Sequence, residues 1–173
     1  DRPSYVGDLA IKGDRIVAIQ QSKLEVRAGV KEIDAKGLII APGFIDLHSH
    51  SDDPILVAKT RLNANFLTQG CTSVVTGNCG FGPVDVAAYY RKINEHGAGT
   101  NVLHLIPHGS LRAEAMGTMN RAPSPAELEK MKELTERGMH DGAWGMATGL
   151  IYVPGSYSKT DELIALAQVI SKR

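Results

Sequence analysis

Neither sign of charge is in excess. The 173 residues hold 19 lysines and arginines against 19 aspartates and glutamates, a formal net charge of zero. A chain with no basic surplus has no stripe to hold a phosphate backbone or an anionic lipid surface. That argues against nucleic acid and against a membrane as partners. Cysteine is scarce as well, with only Cys71 and Cys79. On one extended strand their eight-residue separation, at roughly 3.3 Å per residue, is far beyond the reach of a disulfide, so each needs its own explanation. No apolar run approaches the roughly 20 residues of a membrane-spanning helix. No signal peptide is visible, and Asp1-Arg2-Pro3-Ser4 does not resemble a natural start, so preceding targeting segments are left open. The expected location is cytoplasmic. What remains is an ordinary globular composition, 43% hydrophobic, long enough for one core or slightly more.

Two regions differ in pattern. Residues 5–41 read as short strands, with Leu9 to Lys12 and Arg15 to Ile19 flanking the hairpin signal Gly13-Asp14. From residue 43 apolar strands alternate with amphipathic helices. The strand candidates are Gly43 to His48, Thr72 to Thr76, Asn101 to Ile106 and Trp144 to Ile151. Helices are expected near 60–69, stopped by Gly70, and near 84–96, stopped by Gly97. Ser124-Pro125-Ala126-Glu127 is an N-cap, a proline at the first helical position and a capping-box glutamate, and Gly138 is the expected stop. Thr160-Asp161-Glu162 opens a last helix to about Ser171. Four strand–helix units in series predict parallel strands with right-handed crossovers. A closed barrel of this kind has eight units and about 250 residues, so the reading is the first half of one. A four-unit open sheet is the alternative on topology.

The chemistry concentrates in Phe44-Ile45-Asp46-Leu47-His48-Ser49-His50. Side chains alternate along a strand, which puts Asp46, His48 and His50 on one face. Two imidazoles roughly 7 Å apart converge on one ion if the strand end bends. A pair of hydrogen-bonded strand histidines is the plainer reading. The same-face pair at a C-terminal strand end, with a carboxylate behind it, favours metal. Asp53-Pro54 reads as an N-cap and first helical residue, while Asp52 is open between a structural role and orienting an imidazole. Cys71 enters its strand and reads as a buried apolar thiol. Cys79 leaves the same strand among Gly77, Gly80 and Gly82, where a thiolate would be a zinc ligand carrying the negative charge that two neutral histidines lack. His104 reads as a satisfied core histidine, and His108 as a rim residue that orients a ligand or caps its loop, with Arg112 nearby. Tyr152 lands at the rim after the fourth strand, offering either a hydroxyl or a packing ring. His96 and His140 read as surface residues near helix ends.

These blocks resemble a known family. Asp34-Ala35-Lys36-Gly37 followed by Ala41-Pro42-Gly43-Phe44-Ile45-Asp46-Leu47-His48-Ser49-His50 looks like the entry to the first barrel strand of the amidohydrolase superfamily. Gly77-Asn78-Cys79-Gly80, then His108-Gly109-Ser110-Leu111-Arg112 with Met116-Gly117, then Gly149 to Gly155, are similar to its D-aminoacylase branch. The resemblance implies a (β/α)₈ TIM barrel, of which the first four βα units stand in 42–173, preceded in 1–41 by part of a small β-sandwich domain. It implies Zn2+-dependent hydrolysis of N-acyl-D-amino acids to a carboxylate and a D-amino acid. Metal ligands match His48, His50 and Cys79, and Tyr152 matches a tyrosine of the substrate pocket. Two further histidine ligands and a general-base aspartate are expected beyond Arg173, so the chain alone is expected to be inactive. Relatives that open cyclic amides bridge two metals with a carboxylated lysine on the fourth strand. Here 144–152 contains no lysine, which favours the linear-amide branch over a cyclic amidase or deaminase. A non-catalytic half-barrel that acts through a partner chain, or self-associates through its uncovered edges, is the alternative from another class.

Overall fold

The structure, a computed structural model, describes residues 3–172. Asp1, Arg2 and Arg173, named above, lie outside them. The chain divides into two compact units, Asp1–Ala41 and Pro42–Arg173.

In the first unit, β1 (Asp8–Lys12) pairs antiparallel with β2 (Arg15–Gln20), Lys12 standing opposite Arg15 across the Gly13–Asp14 turn. The ladder slips by one residue between Ala10 and Ile11, a bulge that twists the ribbon. The hairpin is the one read from sequence. The further short strands expected up to residue 41 are not found among the described residues. The amide of Leu38 instead closes a turn onto the carbonyl of Ala35, with Asp34 accepting the Lys36 amide. Leu38, Ile39 and Ile40 are exposed, and no strand among the described residues pairs with them.

The second unit is α/β. Strands β3 (Phe44–Asp46), β4 (Cys71–Thr76) and β5 (Asn101–His104) form a parallel sheet in that order. One residue later, β6 (Ile106–Pro107) pairs parallel with β7 (Met146–Ala147). The segment 101–107 thus turns from one partner to the next. Leu105 donates to Thr76, while the carbonyl of His104 accepts from Trp144 and the amide of Ile106 donates to Gly145. The fourth strand is much shorter than expected. Trp144 and Ile151 are exposed, and the chain from Gly149 folds into turns instead of continuing the ladder.

Between the strands lie α1 (Ala64–Leu67), α2 (Val86–His96), α3 (His108–Met116) and α4 (Pro125–His140), and α5 (Thr160–Ile170) follows β7. Asp85 caps α2 by accepting from Ala88. Ser124 and Glu127 form the reciprocal capping box of α4. Gly138 does not stop α4: it lies inside the helix, where a β-carbon would press on Ile106 at 3.1 Å. A glycine here serves close helix–strand contact, which a sequence cannot distinguish from a terminator. Helix α3 carries no start signal in the sequence, because Pro107 and Gly109 flank its first residue. Only a single 3₁₀ turn (Pro54–Leu56) follows Asp53-Pro54, with no side-chain cap.

Two apolar clusters hold this unit. Val86, Ile106, Leu111, Met131, Leu134 and Leu166 join β6 to α2–α5, and Ile55, Val74, Tyr89 and Ile93 pack α2 on β4. Leu111, Met131 and Leu166 are fully buried, each contributing about 1.5–3 kcal/mol of transfer free energy. Among the described residues no helix is long and apolar enough to cross a membrane.

Candidate metal centre

His48 and His50 follow β3, Cys79 follows β4, His108 follows β6 and Tyr152 follows β7. The polar residues therefore gather past the C-terminal ends of parallel strands, where an α/β sheet leaves its chain free to bend. The strand read as reaching His48 ends at Asp46. Beyond it the chain turns, Asp46 accepting the backbone amide of His48 at 2.9 Å. The bend brings the two rings to a centroid separation of 5.4 Å, edge to face.

The ligand atoms of His48, His50 and Cys79 all lie within 4.8 Å of one another. Sγ of Cys79 stands 3.4 Å from Nε2 of His48. Two ligands held tetrahedrally at about 2.0 Å (nitrogen) and about 2.3 Å (thiolate) would be about 3.5 Å apart, so that pair already has the spacing a zinc ion requires. Donor chemistry fits as well: two imidazoles and a thiolate suit zinc better than calcium or magnesium, which take oxygen.

Buried polar groups lock this arrangement from below. Ser49 donates its amide and its hydroxyl to the carbonyl of Val75, at 3.1 and 2.9 Å. The Asn78 side-chain amide donates to Val75 at 2.9 Å and more weakly to Leu47 and Ser49 at 3.4 and 3.5 Å. Asn78 thereby stitches the His-Ser-His segment to the turn that carries Cys79. Asp52, open between two roles in the sequence, accepts the amide of Gly77 at 2.7 Å. It holds the turn rather than an imidazole. Burial raises its carboxyl above the ordinary range, and the Gly77 amide, its own amide and the nearby His104 and His50 oppose that rise. Sequence reading missed Ser49 and Asn78. The one signal for Asn78 was a polar residue wedged between Gly77 and Cys79. Cys79 itself adopts φ 54°, ψ 17°, a left-handed conformation that costs a residue with a β-carbon about 1–2 kcal/mol.

The remaining candidates stand apart from the cluster. Cys71 is half-buried at the start of β4, not fully enclosed as its apolar reading implied. His104 is a core histidine, its Nε2–H donating to the Pro83 carbonyl and its Nδ1 accepting from the Thr76 hydroxyl, both at 2.8 Å. His108 is not a free rim residue. It opens α3, is fully buried, and donates through Nε2 to Glu162 at 2.9 Å. Arg112, one turn on and also fully buried, pairs with the same carboxylate and donates to the Arg121 carbonyl. Tyr152 is half-exposed and meets Phe81, next to the Cys79 turn, edge to face at 5.6 Å. His96 and His140 are on the surface. Beside His50 opens a cleft of about 480 Å³ lined by Pro54, Lys59, Thr60, Asn63 and Phe66.

The sequence profile of the amidohydrolase family matches residues 31–170, and the chain belongs to that family. It is 36% identical to an N-acyl-D-aspartate deacylase of Alcaligenes xylosoxydans xylosoxydans, over 99% of this chain and 38% of the relative. Its fold superposes on a crystal structure of a D-aminoacylase with a TM-score of 0.87 at 28% identity, covering 99% of this chain and 40% of that one. It also superposes on an N-acyl-D-glutamate deacylase from Bordetella bronchiseptica at a TM-score of 0.82 and 33% identity. There 96% of this chain and 39% of that one are covered, and that enzyme is complexed with zinc and a phosphonate mimic of its tetrahedral intermediate. The chain therefore spans about two fifths of the length of these relatives.

Proposed function

We propose that these residues are one part of a zinc-dependent amidohydrolase that cleaves N-acyl-D-amino acids into a carboxylate and a D-amino acid. One observation carries the reading. His48, His50 and Cys79 converge past adjacent parallel strands with a thiol–imidazole spacing that suits zinc. The similarity to deacylases over nearly the whole chain supports the substrate class.

His48, His50 and Cys79 would hold the ion, which supplies Lewis-acid activation of the amide carbonyl and of water when bound. Cys79 supplies the one anionic donor. Asp46 holds the bend that carries His48, Asn78 and Asp52 keep the two ligand-bearing segments in register, and Tyr152 forms a wall of the substrate site. In this reading Pro42–Arg173 belongs to a TIM barrel. The β3 edge, with Phe44, Ile45 and Leu47 exposed, is then the place where further strands continue the sheet. Three ligands on one wall leave a general base to be supplied from elsewhere, so the 173-residue chain by itself does not turn over substrate.

The test is product analysis on the full-length zinc-loaded protein with a panel of N-acyl-D-amino acids. Release of a carboxylic acid is expected. Release of ammonia, or no product from any member, overturns the substrate assignment. Turnover by the purified 173-residue chain overturns the reading that it is incomplete.

A further inference from the structure

Three glycines from three segments meet at the Cys79–Gly80 turn. A β-carbon on Gly149, after β7, would stand 2.1 Å from the carbonyl oxygen of Cys79. One on Gly109, the second residue of α3, would stand 2.8 Å from the carbonyl oxygen of Gly80. One on Gly80 would stand 3.0 Å from the amide nitrogen of Gly109 and 3.2 Å from that of Gly149. The turn therefore runs through a slot whose two walls are bare backbone.

Gly109 and Gly149 are absent from the positive-φ glycines of the chain, so no left-handed φ calls for glycine at either. The Cys79–Gly80 backbone excludes a β-carbon at both, and on Gly149 the Tyr152 ring, 3.0 Å away, crowds one as well. Gly97 is the opposite case, with φ +73° at the end of α2 and open space around it. Both walls are themselves anchored. Helix α3 is tied through His108 and Arg112 to Glu162 on α5. Beside Gly149 lies the Tyr152 ring, which packs on Phe81 just past the turn. A residue with a β-carbon stays left-handed only where its surroundings over-determine it, and Cys79 is such a residue.

We propose that Gly109 and Gly149 are positioning residues. They form the walls of a slot that holds the Cys79 backbone left-handed and thereby aims its thiol at Nε2 of His48. This rests on the metal reading above, and the experiment separates the two. The chain carrying Cys71→Ser, whose one thiol is Cys79, is titrated with Co2+ and followed by its thiolate-to-cobalt charge-transfer absorption. The same titration is run on Gly109→Ala, Gly149→Ala and Gly97→Ala in that background, with circular dichroism as a check on folding.

The unsubstituted background is expected to develop the band. Gly109→Ala is expected to weaken cobalt binding about 10- to 100-fold, the range seen when groups behind a ligand are lost, or to abolish the band. Alanine favours a helix over glycine, so this loss does not come from unfolding α3. Gly149→Ala meets the turn more severely; should it fail to fold, Gly109→Ala decides. Gly97→Ala strains a distant helix end and is expected to bind as the background does. Equal affinity and an equal band in Gly109→Ala overturn the proposal while leaving the metal site standing. No band in the background itself overturns the metal reading, and this inference falls with it.

Discussion

Nε2 of His108 lies 2.9 Å from Oε1 of Glu162, inside the protein and across 54 residues of sequence. Oε2 of the same carboxylate pairs with Arg112, so a single side chain on α5 holds two residues of α3. Burial alone would raise the Glu162 carboxyl. The hydrogen bonds from His108 and Arg112, with the charge of Arg112, outweigh it and hold the carboxyl below its ordinary 4.5.

The first prediction concerns that carboxylate. Glu162→Ala leaves the guanidinium of Arg112 buried without a counter-charge, and breaking a buried pair in this way costs about 3–5 kcal/mol. Urea unfolding should show that loss; a change below about 1 kcal/mol would mean that water or a nearby carbonyl replaces the carboxylate. The pH dependence has a definite sign. A carboxyl lowered in the folded state contributes stability that is fully present above pH 4.5. That stability is lost as pH falls through the lower folded value. The acid limb of unmodified chain should therefore be steeper than that of Glu162→Gln.

This triad also marks where sequence reading stops. Thr160-Asp161-Glu162 reads as the acidic first turn of a helix, and α5 does begin there. Nothing local says that Glu162 turns inward while Asp161 faces water. Its partners lie 50 and 54 residues back, and a periodic pattern does not report pairing at that range. The capping box at Ser124 was legible because both halves lie within four residues. The approach of His48 and His50 was legible because alternation and a chain bend operate over three residues. What brings Cys79 beside them is the parallel register of β3 on β4, inferable only once the strand order is assumed. Gly138, Gly109 and Gly149 were opaque for the same reason: a glycine that admits a neighbour is spelled like one that ends a helix.

Asn78 should matter more than its size suggests. Asn78→Ala removes one of three donors to the Val75 carbonyl, which keeps both bonds from Ser49, so the loss is that of a net hydrogen bond, about 0.5–1.5 kcal/mol. It also frees the Leu47–Ser49 backbone from the turn. The expected result is a lower unfolding midpoint together with zinc affinity reduced about 10- to 100-fold. Loss of stability with unchanged affinity in the folded protein would limit Asn78 to a structural role.

His104 gives a second pH signature. Burial lowers its pKa below the ordinary 6.5, against the opposing effects of the Pro83 carbonyl and Asp52. The folded chain thus holds it neutral while the unfolded chain protonates it. Its contribution is fully present above pH 6.5 and declines as pH falls from there to the lower folded value. Stability measured as pH falls below 6.5 should decline less steeply in His104→Gln than in the unmodified chain. Equal slopes would show that His104 takes up its proton without unfolding.

The sharpest check of the metal cluster uses the two cysteines against each other. Both are free and half-buried, so exposure alone gives an alkylating reagent little reason to prefer one. Only Cys79 has an imidazole nitrogen within 3.4 Å and a second histidine in the same cluster. A thiolate bound to zinc is a poor nucleophile towards iodoacetamide because its lone pair is shared with the metal. Zinc should therefore slow carbamidomethylation of Cys79 at least tenfold, leave Cys71 as it was, and lose this effect in His48→Ala, all readable by peptide mass spectrometry. Equal protection of both thiols would point to a change in folding. Protection of Cys79 that survives His48→Ala would show that the pair does not share an ion.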